Sequence, residues 1–446
     1  MVYMKLKIKK VVNEVISLSY LITIFFSILF TRPFVGVLVG PFRLGELIIG
    51  GCILLTFLLL TIGKYFDVYE INNLKKIYSY IVISFFFVVI VTNTNLFNLY
   101  AFKSSSYIWT LIFIFFGYLY FLPEKYNDPF FYSIIICLIL MYIISTGNYP
   151  NFIIAFFNNV SDKFQFLKGS ELSLVLIISN LLAKNKFSPK IYLRFLILSS
   201  SIYFPLLLFN SRAAFFVAVI FLIIEIFLTR KEFFKISWIN FVLLFLTIPL
   251  FLISTFRVYG NLDFAKLPEF SNTDIISETV NDLVDRRETT EVFLSFYLQD
   301  GRLRSKDSTT EWRLDIWQDV LEDMTNNSIL LRGYGYNEII PVMLDPTAPG
   351  RLGRDGMNEN VHNYFVNIFA RGSFIQLILF VLLNFKIITK YKNKFNSYNI
   401  LSYLIPIYLM SSFDATLESV HFPLVFFSFL GYFLKKGIKT KNSDIN

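Results

Sequence analysis

Three side chains in this sequence are of types that act on phosphorylated groups: Arg212 in FNSRAAFF, Arg313 in EWRLDIW and His362 in NENVHNYF. Arginine grips phosphate because its planar fork donates paired hydrogen bonds and stays charged. Imidazole titrates near neutrality, so it can take up or release a proton. The chain has only two histidines, His362 and His421. His362 stands where a polar region gives way to a long apolar run. His421, in ESVHFPLVFF, is expected to pack at the start of the last such run. Each candidate taken singly has a plain alternative. Arg212 could touch lipid phosphate, Arg313 could pair with Asp315 or Asp319, and a lone histidine is most often structural. The three gain weight as a set on one face.

Other site chemistries find no pattern. There is no HExxH, no Cys/His cluster and no acidic pair at metal spacing, so no metal is expected. No GxxxxGK[ST] loop is present, which argues against ATP as the driver, and no cofactor is expected. The serine of NSRAA lacks a nucleophile elbow. Cys52 and Cys137 lie in apolar runs and read as small hydrophobes.

The elements that must hold these residues are membrane helices. Of 446 residues, 55% are hydrophobic and 16% charged, against about 25% charged in soluble domains. Apolar runs of near-spanning length recur, and the fold class expected is all-α, a polytopic membrane protein. Twelve spans are expected, near 13–31, 44–63, 77–93, 106–122, 130–146, 170–184, 191–209, 213–229, 238–256, 363–385, 399–412 and 416–434. MVYMKLKIKK runs into the first without a small-residue cleavage site, so that helix is read as retained.

The net charge of +9 hides a division. Residues 257–361 hold 11 Lys/Arg against 19 Asp/Glu, a net of −8, while the rest holds 30 against 13, a net of +17. The basic residues sit mostly in short loops, which fits a membrane and not nucleic acid. With the N-terminus inside, the inner pieces carry 23 Lys/Arg and the short outer loops 6. The acidic segment then lies outside. The division expected is 1–256 with nine spans, 257–362 as an outer loop, 363–434 with three spans and 435–446 as a cytoplasmic tail.

Within the outer segment, residues 308–325 read as an amphipathic helix. Ser308 and Glu311 have capping-box spacing. Trp312, Ile316, Val320 and Met324 recur at helical intervals, with Trp317 and Leu321 widening the stripe. Gly333 and Gly335 suit a tight turn.

SRAAFF after a span, then EWRLDIWQDVL, LLRGYGYNE and VHNYFVNIFARGSF, then an apolar end, resembles the O-antigen ligase and O-antigen polymerase superfamily. The motif-level likeness covers about 209–225 and 311–375. The resemblance implies a metal-independent, inverting glycan transferase. It would take a glycan from an undecaprenyl-diphosphate carrier at the periplasmic face of the bacterial inner membrane; the loop charges and twelve spans put both chain termini in the cytoplasm. The acceptor would be lipid A-core in a ligase or a carrier-linked repeat unit in a polymerase, the latter with a chain-length regulator as a further partner. Arg212 and Arg313 would match the arginines that hold the diphosphate, and His362 the active-site histidine, as base or as orienter of the acceptor hydroxyl. Tyr334, Tyr336, Asn363 and Arg371 are further candidates for substrate contact, Arg371 being favoured as a helix anchor. The ligase-like reading is preferred. Polymerase stays open, as does a different class, a lipid-linked oligosaccharide flippase or other transporter.

Overall fold

A computed structural model describes residues 2–62, 69–146, 149–230, 238–259, 295–356 and 358–439. Residues 260–294 of the expected outer loop, Lys64, Lys231 and Lys235 of the expected inner loops, and the expected tail from 440 onward lie outside the described residues. The fold is almost wholly helical. It comprises α1 (Val2–Val35), α2 (Leu44–Ile62), α3 (Asn72–Val91), α4 (Leu99–Ser104), α5 (Ser106–Trp109), α6 (Ile112–Leu119), α7 (Asn127–Ser145), α8 (Asn151–Val160), α9 (Gly169–Lys186), α10 (Pro189–Asn210), α11 (Arg212–Leu228), α12 (Trp238–Tyr259), α13 (Ser308–Asn326), α14 (Leu352–Asp355), α15 (Tyr364–Phe395), α16 (Leu401–Phe413) and α17 (His421–Lys436). Among the described residues there are also two small hairpins, β1–β2 (Leu38–Val39, Phe42–Arg43) and β3–β4 (Phe296–Gln299, Arg302–Ser305).

Among the described residues, six helical stretches are long and apolar enough to cross a membrane: Asn13–Val35, Leu44–Thr61, Asn72–Val91, Glu124–Ser145, Pro189–Asn210 and Tyr364–Phe395. The chain is an integral membrane protein. Helices also lie over the other six expected ranges; of these α12 is 22 residues long and apolar, and the rest are shorter or carry more polar residues. The 106–122 range is divided between α5 and α6, and the helix expected from 416 starts at His421. α8 lies in a stretch where no helix was expected.

The core centres on α17, whose residues from His421 to Leu434 are all buried. It packs closely on α6 because both helices put glycine at the contact. A Cβ on Gly117 would lie 2.2 Å from the Ser428 carbonyl oxygen, and one on Gly431 2.2 Å from that of Ile114. Without a hydrophobic drive between helices in lipid, such close backbone approach is a main source of cohesion. At the ends of α9 and α11 farther from His362, Lys184 and Glu225 form a buried ion pair 2.8 Å apart, and the Tyr192 hydroxyl donates to the same carboxylate oxygen at 2.6 Å.

α15 is not one straight helix. Ser373 has φ 76°, so the ladder breaks within ARGSF. Membrane helices tolerate a break only where the freed backbone groups find partners. Here the loop after α13 supplies them. The Tyr334 and Gly335 amides donate to the carbonyls of Ala370 (2.8 Å) and Arg371 (3.2 Å), and the Phe374 amide donates to Leu330 (3.0 Å). The loop can lie this close because Gly333 (φ 69°) and Gly335 (φ 81°) have no side chain. A Cβ at Gly333 would lie 2.5 Å from the Arg371 carbonyl oxygen. The motifs LLRGYGYNE and ARGSF are two halves of one junction.

α13 begins at Ser308 as expected, but its N-cap is Asp307, not Ser308. Glu311 does not close a capping box. It accepts from the Arg304 guanidinium and the Ser305 amide. Ile316, Val320 and Met324 are buried in a small second core, whereas Leu321 points outward, 53% exposed, against the widened stripe. The acidic face, Asp315 and Asp319, is clamped by Arg302 and by Arg351, which is 1% exposed and also reaches Asp345. Arg302 and Arg304 arrive on β4. The hairpin leading into that strand turns at Asp300-Gly301, both residues at positive φ, as a two-residue hairpin loop requires.

Candidate functional site

Arg212, Arg313 and His362 come from three elements that the fold brings to one end of the bundle. Arg212 is the first residue of α11, whose N-cap Ser211 accepts from the Ala214 amide. Its side chain is 45% exposed and lies 3.7 Å from Asp307, the residue that caps α13. Arg313 is on α13. Asp315 and Asp319 are taken by Arg302 and Arg351, so Arg313 does not pair with them. It turns to the opposite side, where its charge is offset at longer range by Asp414 and Asp307, and burial draws its pKa down. Its Nε is buried and makes no hydrogen bond among the described residues, and its guanidinium stacks on Trp312 at 5.1 Å. Asp307 thus stands in contact with Arg212 and in the field of Arg313.

His362 sits in the left-handed region at φ 51°, one residue before the cap of α15. Three contacts hold it there. The Trp317 indole donates to the Val361 carbonyl at 2.7 Å. Trp312 meets the imidazole edge-on at 5.2 Å. Asn363 caps α15, accepting from the amides of Phe365 and Val366. Both ring nitrogens of His362 are buried and have no hydrogen-bond partner among the described residues. Burial first, then the nearby Arg313 charge, push its pKa down from 6.5 to about 4, against the opposing pull of Asp414. The imidazole is therefore neutral at pH 7 and carries a free lone pair. The sequence-based expectation of a group titrating near neutrality is corrected by this burial.

Lys168 adds positive charge at the same place, since it too depresses His362. It is the N-cap of α9. The first turn of α9 ties the parts together. Gly169 packs against Ser211 and Ala214 of α11, and the Ser170 hydroxyl donates to Asp414 at 3.3 Å. Asp414 caps the end of α16. α9, α11 and α15 all begin here, and helix starts favour anions through their free amides and dipoles. Chemically, the arrangement suits a bound anion beside a neutral imidazole. Among the described residues no group of three His, Cys, Asp or Glu side chains could hold a metal ion.

The other candidates serve the scaffold. Tyr336 is fully buried, bonded to Gln376 at 3.1 Å and to Tyr107 at 3.3 Å, with its ring against Phe85. All three guanidinium nitrogens of Arg371 are used: on Asn367, on the Glu338 carbonyl and on the Tyr100 hydroxyl. It is an anchor. Tyr334 donates to Asp323 and pins the glycine loop to α13. The side-chain oxygen of Asn363 is spent on the helix cap. His421 does not merely pack, because its Nε2 lies 2.9 Å from Glu171 of α9, and both side chains are buried. Asp307, Asp414, Lys168 and the Glu171–His421 pair were all missed in the sequence. None stands in a recognisable motif, and their partners are 95 to 250 residues away.

Residues 195–381 match a family model described as O-Antigen ligase. The match spans α10 to the middle of α15 and contains Arg212, Arg313 and His362. No curated protein matches the chain.

Proposed function

From the match of residues 195–381 to the O-antigen ligase family, we propose that the chain is a member of the O-antigen ligase and polymerase superfamily and that it transfers a glycan from an undecaprenyl-diphosphate carrier to an acceptor sugar. The observation that carries this reading is the cluster of Arg212, Arg313 and the unpartnered His362 at one end of the bundle, joined through Asp307 and Asp414. An activated anomeric carbon already bears its leaving group, so the reaction needs no ATP. Arg212 and Arg313 offset the charge that builds on the departing diphosphate, with Lys168 and the helix starts adding to the field. Removing one such stabilising group typically costs about 10²–10³ in kcat. His362 accepts a hydrogen bond from the acceptor hydroxyl and orients it. Arg313 beside it makes imidazolium costly, so orientation suits His362 better than storing the proton. One displacement inverts the anomeric centre, without a metal.

In this proposal the twelve helices span the bacterial inner membrane and both termini lie in the cytoplasm. The segment that carries α13 is periplasmic, and α13 walls the site. A ligase, acting on lipid A-core, is preferred over a polymerase joining carrier-linked repeats. One observation favours a second reading. A transporter is expected to place ionisable groups inside the bundle, and Lys184 with Glu225 is such a pair. The test is transfer from a synthetic polyprenyl-diphosphate oligosaccharide by purified wild type, Arg212→Ala and His362→Ala, with and without lipid A-core. Core-dependent transfer that both substitutions abolish supports a ligase, and chain growth on the carrier supports a polymerase. Unchanged transfer in both variants contradicts the site.

A further inference from the structure

The Glu171–His421 pair holds a buried imidazole in a fixed orientation. Glu171 opens α9, and its two carboxylate oxygens have separate tasks. One accepts the Lys168 amide at 2.9 Å and the other lies 2.9 Å from Nε2 of His421. A carboxylate has no proton to give, so Nε2 carries the hydrogen and donates. That fixes the tautomer and leaves the lone pair on Nδ1. His421 is 5% exposed, and Nδ1 is buried with no hydrogen-bond partner among the described residues. A buried acceptor without a donor is costly unless something supplies one. A carboxylate on the far nitrogen orients an imidazole and stabilises the imidazolium that forms when the near nitrogen takes a proton. His362 has no such carboxylate and has Arg313 as a neighbour instead.

The pair is joined to the site described above through one turn of helix. Lys168 acts on His362, Gly169 packs beneath the Arg212 turn, Ser170 bonds Asp414, and Glu171 holds His421. We propose that His421, held by Glu171, is the base that takes the acceptor hydroxyl's proton, directly or through one water, while His362 orients that hydroxyl. The acceptor O–H bond breaks as its oxygen bonds the anomeric carbon. The proton passes to Nδ1, and the carbon–oxygen bond to the diphosphate breaks with its electron pair leaving on the diphosphate, opposite Arg212 and Arg313. This rests on the glycan-transfer reading. Among the titratable or charged groups on elements packed near His421 are Glu171, which bonds it, Lys168 on the same turn of α9, Asp414 and Glu418 ahead of α17, and Tyr149, whose pKa is raised by burial first and then by Glu171.

The experiment measures kcat, donor KM and melting temperature for purified wild type, His421→Gln and Glu171→Gln across pH 5–9. The donor is a synthetic polyprenyl-diphosphate oligosaccharide. General-base loss predicts a fall in kcat of about 10²–10⁴ for His421→Gln, with little change in donor KM and a flattened pH profile. Glu171→Gln keeps the imidazole but loses its charged partner, and a fall of about tenfold or more is expected. A His421→Gln protein with wild-type kcat and pH profile overturns the proposal. Should His421→Gln fail to fold, Glu171→Gln decides alone, and wild-type kcat there overturns it too. If wild type itself transfers nothing, the glycan-transfer reading falls and this inference with it. Wild-type transfer with insensitive variants removes only the inference.

Discussion

A chain with two histidines allows the electrostatics of the site to be measured directly. In protein labelled with ¹³C at the imidazole ring and held in detergent micelles, His362 and His421 give two signals, and His421→Gln assigns them. The structure places the His362 pKa at about 4, with burial as the larger cause and the Arg313 charge next. A fall from 6.5 to about 4 corresponds to about 3 kcal/mol against the imidazolium. The Arg313 guanidinium and the imidazole lie 5.1 and 5.2 Å from the Trp312 ring, so they are at most roughly 10 Å apart, and at an effective dielectric of about 20 that charge contributes about 1.7 kcal/mol, or a little over one pH unit. Arg313→Gln should therefore raise the His362 pKa by about one unit and leave the burial contribution in place. Stability follows with a definite sign. The unfolded chain takes a proton near pH 6.5 that the folded chain refuses until about pH 4, so stability falls as the pH drops through that window. A donor diphosphate bound beside Arg313 should raise the same pKa, since it offsets the cation. A wild-type His362 that titrates at 6.5 or above would refute the reasoning, and an Arg313→Gln protein with an unmoved His362 would remove Arg313 from it.

Three further outcomes are expected. Gly333→Ala places a methyl group 2.5 Å from the Arg371 carbonyl oxygen at a residue with φ 69°, so the junction with the broken α15 should loosen. We expect destabilisation of about 1–3 kcal/mol, read as a lower melting temperature in detergent. Arg351→Leu takes one of two cations from Asp315 and Asp319, which keep Arg302, and frees Asp345, so a loss of about 1–3 kcal/mol is expected in the same assay. Tyr336→Phe removes one hydroxyl from a buried network with Gln376 and Tyr107, so it should cost about 1 kcal/mol of stability while leaving acceptor KM unchanged. A raised acceptor KM would restore Tyr336 as a sugar contact.

The helices were legible because apolar runs of spanning length are a strong local signal. All twelve expected ranges carry helix, and among the described residues six stretches meet the length and composition of a membrane span. The stripe of Ile316, Val320 and Met324 was legible for the same reason, since helical periodicity shows which face is buried. What the sequence hid is whatever depends on distant partners. ARGSF reads as uninterrupted helix, and the break at Ser373 becomes tolerable only because the glycine loop some 40 residues earlier caps it. Tyr336 looks like an accessible aromatic in a polar loop, yet that loop dives into the bundle. Arg313 has Asp315 and Asp319 within a turn, and only the arrival of Arg302 and Arg351 leaves it free to face His362. Glu171 and His421 lie 250 residues apart, so no spacing rule could join them.

The most direct measurement is the product formed by purified wild-type protein from a fluorescent polyprenyl-diphosphate oligosaccharide and an acceptor glycan, without nucleotide or added metal. The account predicts acceptor-dependent transfer, release of one carrier diphosphate per glycosidic bond, and an inverted anomeric centre. A folded protein that makes no product in this assay, while vesicles containing it carry the lipid-linked glycan across the bilayer, would contradict it.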